Sequence, residues 1–333
     1  MIGASPMARL LPRLSLLALF GAMLAAPLPA TAQSKNLEWT SGSPGGAWFT
    51  QTTGVSTLVM EATPGVNIRI VPGGGKDNPS RIQAGLSQIG MGIDFLSAAA
   101  LKGEEPYKQK HDKLRTLGST GVDVYFMVYV PVEEKRSLAE ILADPKLTIG
   151  VTSAATSEHL TLQRALEHYG NSFAKIRAGG GKVVISAYGE LIQGFNDNQF
   201  SVLWTAGEIP SGLASQIVDG RRKVKFAAFP TELQNALTEK FGYSKGTIPA
   251  GTFPELQSSD ISVSSMGNIY LVSSELPDDF VYAMTKAIIA NKPRLANIYQ
   301  AMGRYDPATA WKTQPVPLHP GAEKAFREAG FLK

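Results

Sequence analysis

Past residue 33 the chain alternates short apolar runs with stretches whose apolar positions recur every three or four residues, the pattern of an α/β domain. NLEWTS (36–41) reads as the first strand. In AWFTQTTGVSTLVMEAT, Trp48, Val55, Leu58 and Val59 fall at helical spacing, so a helix begins at the pair Gly45 and Gly46. VNIRIV alternates cleanly as a second strand and runs into PGGGKDNPSRIQAGL. There Asn78 suits a helix N-cap and Pro79 the first helical position, where the missing N–H is no loss. QIGMGID is a third strand ending in Asp94. The same grammar restarts with strand KLTIGV, small-residue turn TSAATSE and a helix HLTLQRALEHYG closed by Gly170. Strand KVVISA, helix YGELIQGFNDN and strand FSVLWTA follow.

Each half of the chain thus presents small-residue loops where strands enter helices, as two facing α/β lobes would. YFMVYVPVEE (125–134) and SSMGNIYLVSSELP (264–277) are extended and apolar, and read as the two crossings of a hinge. Lobe 1 is then residues 34–128 plus 266–333, and lobe 2 is residues 129–265. The two GGGK stretches, 73–76 and 179–182, are a chance echo rather than a duplication.

The leading segment changes the compartment. Arg9 and Arg13 precede LSLLALFGAMLAA, and Ala30-Thr31-Ala32 offers a small-residue cleavage site, so residues 1–32 read as a secretory signal peptide with a mature start near Gln33. The apolar run is shorter than the ~20 residues that a spanning helix needs. An exported, periplasmic product is expected. Without the two leader arginines 30 basic residues face 28 acidic ones, a balance that argues neither for nor against an acidic partner. With 0 Cys, disulfides, thiolate metal sites and thiol nucleophiles are excluded.

SGSPGGAWFT (41–50) poses the chemical question: side chains are cleared from a turn and aromatics are set directly behind it. A glycine-rich entrance to a helix exposes unpaired N–H groups, and the helix dipole adds partial positive charge, so carboxylate or phosphate is attracted without a basic side chain. A Cβ at such a turn would hold the ligand's oxygens out of range. One such loop serves equally as a tight turn with aromatics in the core. Three of them, with GGGKDNPS and TSAATSE, favour a ligand.

Enzyme chemistry finds little support. PGGGKDN has a Lys but no following Ser or Thr to hold magnesium, and SGSPGG has Ser41 where a nucleophile elbow needs Gly. His111, His159, His168 and His319 show no zinc-ligand spacing. His159 reads as a surface residue of its helix, and KGEEPYKQKHDKLR (102–115) as a solvated segment. GRRKVK (220–225) is too short a basic patch for nucleic acid. No catalytic residue, metal or cofactor is expected.

IPAGTFPE (248–255), LPDDFVYAMTKAI (276–288) and above all PLHPGAEKAFREAG (317–330) resemble the closing segments of the TAXI family, the solute receptors of TRAP transporters. SGSPGGAWF, GGGKDN, GID and LWTAG (203–207) stand where that family has G-T-G-G-T-Y-Y, G-G-S-x-x-N, Q-x-D and F-F-T-A-G. The resemblance covers nearly the whole chain after the leader. It implies a type II periplasmic-binding fold, with two lobes joined by a hinge and a ligand cleft between them. It further implies capture of an organic acid, a dicarboxylate, oxo acid or acidic amino acid, and delivery to TRAP-type membrane permease subunits. Carried over by position, the ligand shell is Ser43, Gly45, Gly46, Trp48, Phe49, Gly74, Gly75, Lys76 and Asp94 from one lobe. Ser153, Thr156, Ser157, Trp204, Thr205, Ala206 and Gly207 come from the other.

Two departures bear on the ligand. Trp48 and Phe49 replace the family's Tyr-Tyr, removing two phenolic donors while keeping aromatic walls, and AATSE replaces G-S-G-T-E. A more apolar or bulkier acid than glutamate is the expectation. Lys76 either pairs with a second carboxylate of the solute or points to solvent. Asp94 either caps the next helix or accepts a hydrogen bond from a solute hydroxyl or amine. Pro320 and Gly321 read as punctuation before the last helix, with His319 in a structural hydrogen bond. A receptor that reports to a membrane sensor kinase stays open beside the transport reading; a periplasmic hydrolase acting through Ser43 is the remote third.

Overall fold

The computed structural model describes residues 35–333. The expected leader, its cleavage site at Ala30-Thr31-Ala32 and the start near Gln33 lie outside the described residues. No helix among the described residues is long and apolar enough to cross a membrane.

Ten strands form one mixed sheet: β1 (Lys35–Thr40), β2 (Val66–Val71), β3 (Ile89–Ile93), β4 (Leu114–Pro131), β5 (Thr148–Val151), β6 (Lys182–Ile185), β7 (Val202–Gly207), β8 (Val224–Phe226), β9 (Ser244–Ile248) and β10 (Ile261–Ser273). Their order is β2-β1-β3-β10-β4-β7-β5-β6, with β8 on β4 and β9 on β10. Two parallel triplets, β2-β1-β3 and β7-β5-β6, flank the antiparallel pair β10 and β4. The helices that matter for the site are α1 (Ala47–Ala62), α2 (Asn78–Gln83), α3 (Asp94–Lys102), α4 (Leu138–Ala143), α5 (Ser157–His168), α6 (Phe173–Ala178) and α7 (Tyr188–Asn196).

Of the segments read as crossings, 125–131 lies in the longer strand β4 and 264–273 in β10, while 132–134 and 274–277 fall beyond the strand ends. β4 has 18 residues and β10 has 13, and every residue of β3 and β7 is buried, as expected of strands covered on both faces. At Gly121, φ is +75° and an added Cβ would lie 2.6 Å from Tyr305 Cα, so glycine alone lets the C-terminal backbone approach β4. The apolar core falls into two large clusters. One gathers Trp39, Val59, Met91, Tyr270, Met284 and Phe326; the other gathers Phe126, Tyr129, Leu166, Phe195, Trp204 and Tyr243. Trp48 packs against both.

Several expectations need correction. Asn78 does not cap α2: Asp77 holds that place without a side-chain bond, and Asn78 is the first residue of the helix. Its amide turns back into the sheet instead. Oδ1 accepts from Thr40 Oγ1 at 2.8 Å and from Gly74 N at 2.9 Å, while Nδ2 donates to Ser41 O at 2.7 Å and Met91 O at 2.8 Å. One fully buried side chain thus ties the end of β1 and the middle of β3 to the glycine loop. His159 is buried, not at the surface: its Nδ1 lies 3.0 Å from Thr152 O, its ring stands edge-on to Phe173, and burial lowers its pKa. The 102–115 segment is not wholly solvated, since Tyr107 and His111 are buried in it and His111 Nε2 lies 2.9 Å from Ser80 Oγ. His319 does make structural bonds, at 3.1 Å to Leu276 O and 3.2 Å from Gly321 N, at the start of the last helix Pro320–Glu328.

Removing the Asn78 amide strands buried polar groups on three segments at once. Asn78→Ala should lower the unfolding free energy by about 2–5 kcal/mol in urea denaturation. Asn78→Asp should fail to restore it, because a carboxylate cannot donate to Ser41 O and Met91 O. A loss under about 0.5 kcal/mol for either variant would contradict this assignment.

Candidate functional site

Where the ends of β1, β7 and the helix entrances converge, sixteen residues line a cavity of about 50 Å³, room for roughly three to five waters. Of the sequence-derived set, Ser43, Gly46, Trp48, Gly74, Gly75, Thr156, Ser157, Ala206 and Gly207 line it. Gly42, Ala47, Val124, Glu158, Tyr188, Glu208 and Met266 complete the wall.

The helix entrances behave as the small-residue loops suggested. At α1 the amides of Gly46 and Phe49 are taken by Ser43 O and Gly46 O, both at 3.1 Å. Those of Ala47 and Trp48 meet no acceptor among the described residues. At α5 Thr156 caps the helix by accepting from His159 N at 3.2 Å, which leaves the amides of Ser157 and Glu158 without an acceptor among the described residues. The Gly75 amide is in the same position. Two helix N-termini of 16 and 12 residues therefore turn bare N–H groups toward one space.

The walls meet through backbone. Lys76 N and Asp77 N donate to Ala155 O at 3.2 and 3.1 Å, joining the loop after β2 to the loop after β5. A Cβ on Gly74 would lie 2.4 Å from Ala155 O, so only glycine permits this approach. Gly46 likewise clears the way for the Tyr188 ring, 3.2 Å from where its Cβ would stand.

The remaining expected residues lie elsewhere. Trp204 is wholly buried, packed on Phe126 and Phe229, and Thr205 donates to Met127 O at 2.9 Å. Both belong to β7, which is covered on each face, so only its end at Ala206 and Gly207 reaches the cavity. Lys76 does not enter either: its Nζ donates to Ala154 O at 3.1 Å and lies 3.7 Å from Asp77. It therefore bonds across the loops instead of pointing freely to solvent. Asp94 accepts from Phe95 N at 2.7 Å and Gly267 N at 3.0 Å, tying α3 to β10, while burial raises its pKa to about 6. Gly45 (φ +81°) shapes the turn, Phe49 stands outside the lining, and Ser153 is exposed.

Two carboxylates that the sequence reading missed stand in the wall. Glu158 accepts from Tyr188 Oη at 2.5 Å and from Ser157 Oγ at 2.9 Å. Glu208 is 1% exposed; its Oε1 accepts from Gln51 Nε2 at 2.9 Å, and its Oε2 receives no donor in hydrogen-bond geometry among the described residues. Burial raises its pKa from 4.5 to about 7, against hydrogen bonding from its own backbone, Gln51 and Tyr299, and the charge of Glu158 adds to the rise. Each carboxylate directly follows a small-residue turn, TS-E and TAG-E, which is the one signal that could have marked them.

The solved structure of MatC from Rhodopseudomonas palustris with bound malate is similar to this chain, with 12% identity, a TM-score of 0.52 and coverage of 90% of this chain and 98% of that one. The alkanesulfonate-binding protein SsuA from Xanthomonas axonopodis pv. citri, bound to MOPS, follows at 14% identity, a TM-score of 0.43 and coverage of 88% and 90%. With the topology above, the MatC likeness gives the fold as a type II periplasmic-binding fold. The sequence pattern of the NMT1-like family matches residues 40–330, and this chain belongs to that family.

Proposed function

We propose that the protein is an extracytoplasmic solute receptor of the TAXI kind, which captures an organic acid and hands it to a TRAP-type membrane permease. The observation that carries this reading is the pair of helix N-termini, α1 and α5, whose first residues line one cavity with amides that meet no acceptor among the described residues. Such amides bind a carboxylate without a basic side chain, and no Lys or Arg lines the cavity. Trp48 supplies the apolar wall for the carbon skeleton.

The mechanism follows from the two halves, lobe 1 as residues 34–128 plus 266–333 and lobe 2 as residues 129–265. An acid first meets the amides of one lobe. The other lobe then adds its own, and this difference in affinity favours the closed form. The bonds from Lys76 N and Asp77 N to Ala155 O belong to that closed form. Export by the leader peptide would put the receptor in the periplasm.

Thermal unfolding against a panel of dicarboxylic, oxo, amino and aromatic acids tests the function. At a hundred times its dissociation constant a true ligand adds about 2.7 kcal/mol to the folded state, a rise of several degrees. The reading fails if the neutral amides of the same acids raise the melting temperature equally. Gly74→Ala places a Cβ against Ala155 O and should weaken binding by about tenfold or more in calorimetry, with the far-ultraviolet dichroism unchanged.

Closure also depends on proton uptake. Shutting the cleft over Glu208 raises its pKa, so the closed form gains its full stabilisation below about 4.5 and loses it as pH rises through about 7. The groups facing Glu208 are Gln51 from α1, Glu158 from α5, the Tyr188 phenol from α7 and the Tyr299 phenol. Small-angle scattering of the ligand-free chain should therefore show a smaller radius of gyration at pH 5 than at pH 8, a difference that Glu208→Gln removes.

A further inference from the structure

Glu208 Oε2 is a buried acceptor on the cavity wall that receives no donor in hydrogen-bond geometry among the described residues. The other oxygen is held by Gln51, whose own Oε1 is also buried and unpartnered. Two orphaned acceptors thus sit side by side on α1 and at the end of β7, in a chain whose other cavity carboxylate, Glu158, has both oxygens bonded. The Tyr299 phenol stands close enough to Glu208 to lower its pKa as a hydrogen-bonding neighbour, yet Oε2 receives no donor in full hydrogen-bond geometry among the described residues.

Leaving a buried carboxylate oxygen unpaired costs more than the bond itself would contribute, so the site is arranged for a donor to arrive from outside. The sign of the charge narrows the choice. Glu158 and Glu208 both line the space and no Lys or Arg does, so a neutral hydroxyl would meet the hydrogen-bond demand while leaving the buried charge uncompensated. An ammonium meets both. Among the described residues no group of three His, Asp or Glu stands ready to hold a metal ion in its place.

We propose that Glu208 is the residue that sets this receptor's specificity, by accepting a hydrogen bond from an ammonium group on the solute, so that the preferred ligand is a zwitterionic acid. Its carboxylate lies on the bare amides of α1 and α5 and its ammonium on Glu208 Oε2. This rests on the acid-receptor reading above and narrows it: oxo acids and simple dicarboxylates offer Glu208 no donor and bring a second negative charge or a carbonyl oxygen toward it.

Calorimetry at pH 8 with three matched sets of acids tests the assignment: 2-aminopentanoate, 2-oxopentanoate and pentanoate; phenylalanine, phenylpyruvate and 3-phenylpropanoate; glutamate, 2-oxoglutarate and glutarate. In whichever set binds, the amino member should bind at least about tenfold tighter than its two partners. Glu208→Gln should bring the three members within about threefold of one another, chiefly by weakening the amino member. If the oxo or unsubstituted member binds the native protein as tightly as the amino member, as it would were Tyr299 to turn its hydroxyl onto Oε2, the donor assignment is overturned while the acid reading stands. If the amino preference survives in Glu208→Gln, Glu208 is not its source. Failure of all nine acids to bind would remove the acid reading and this assignment together.

Discussion

Everything about this cleft depends on two backbones coming within hydrogen-bond distance with nothing between them. The loop after β2 donates two amides to Ala155 O, and Gly74 sits so close beneath that a single methyl group would collide with that carbonyl. The approach is possible because Asn78 fixes the loop from behind, using each end of its amide twice. A side-chain contact could adapt to small displacements; a backbone contact of this kind cannot. The rigidity of the sheet ends is therefore passed directly to the wall of the cavity.

Much of this was legible in the order of residues. The strands and helices announce themselves by period, and small residues at helix entrances mark Ser43, Gly46, Gly74, Gly75, Thr156 and Ser157, all of which line the cavity. The misplacements have local causes. Trp204 and Thr205 lie within a strand covered on both faces, so of the four expected residues Trp204 to Gly207 only Ala206 and Gly207 line the cavity. Lys76 follows the glycines in sequence, but its stem leaves the cavity and its ammonium finds the carbonyl of Ala154. Asn78 has the chemistry of a cap and spends it on tertiary bonds.

Glu158 and Glu208 were hidden for a different reason. A glutamate after a turn is ordinarily solvated, and nothing local says otherwise. Glu208 is buried because α1, some 157 residues earlier in the chain, lays Gln51 across it. Burial of that kind is a property of the assembled halves, and no periodicity records it. The acidic lining it creates beside bare amides gives the cavity two electrical poles, where the loops alone suggested one.

Val124 and Met266 come from β4 and β10, the same two strands that run through the middle of the sheet and knit its parallel triplets together. β10 shifts register against β4 twice, between Gly267 and Ile269 and between Tyr270 and Leu271, immediately beyond Met266. The floor of the cavity is consequently built on the two strands that join one parallel triplet to the other. A solute resting on Val124 and Met266 touches the strands that pair directly with β7 on one side and β3 on the other.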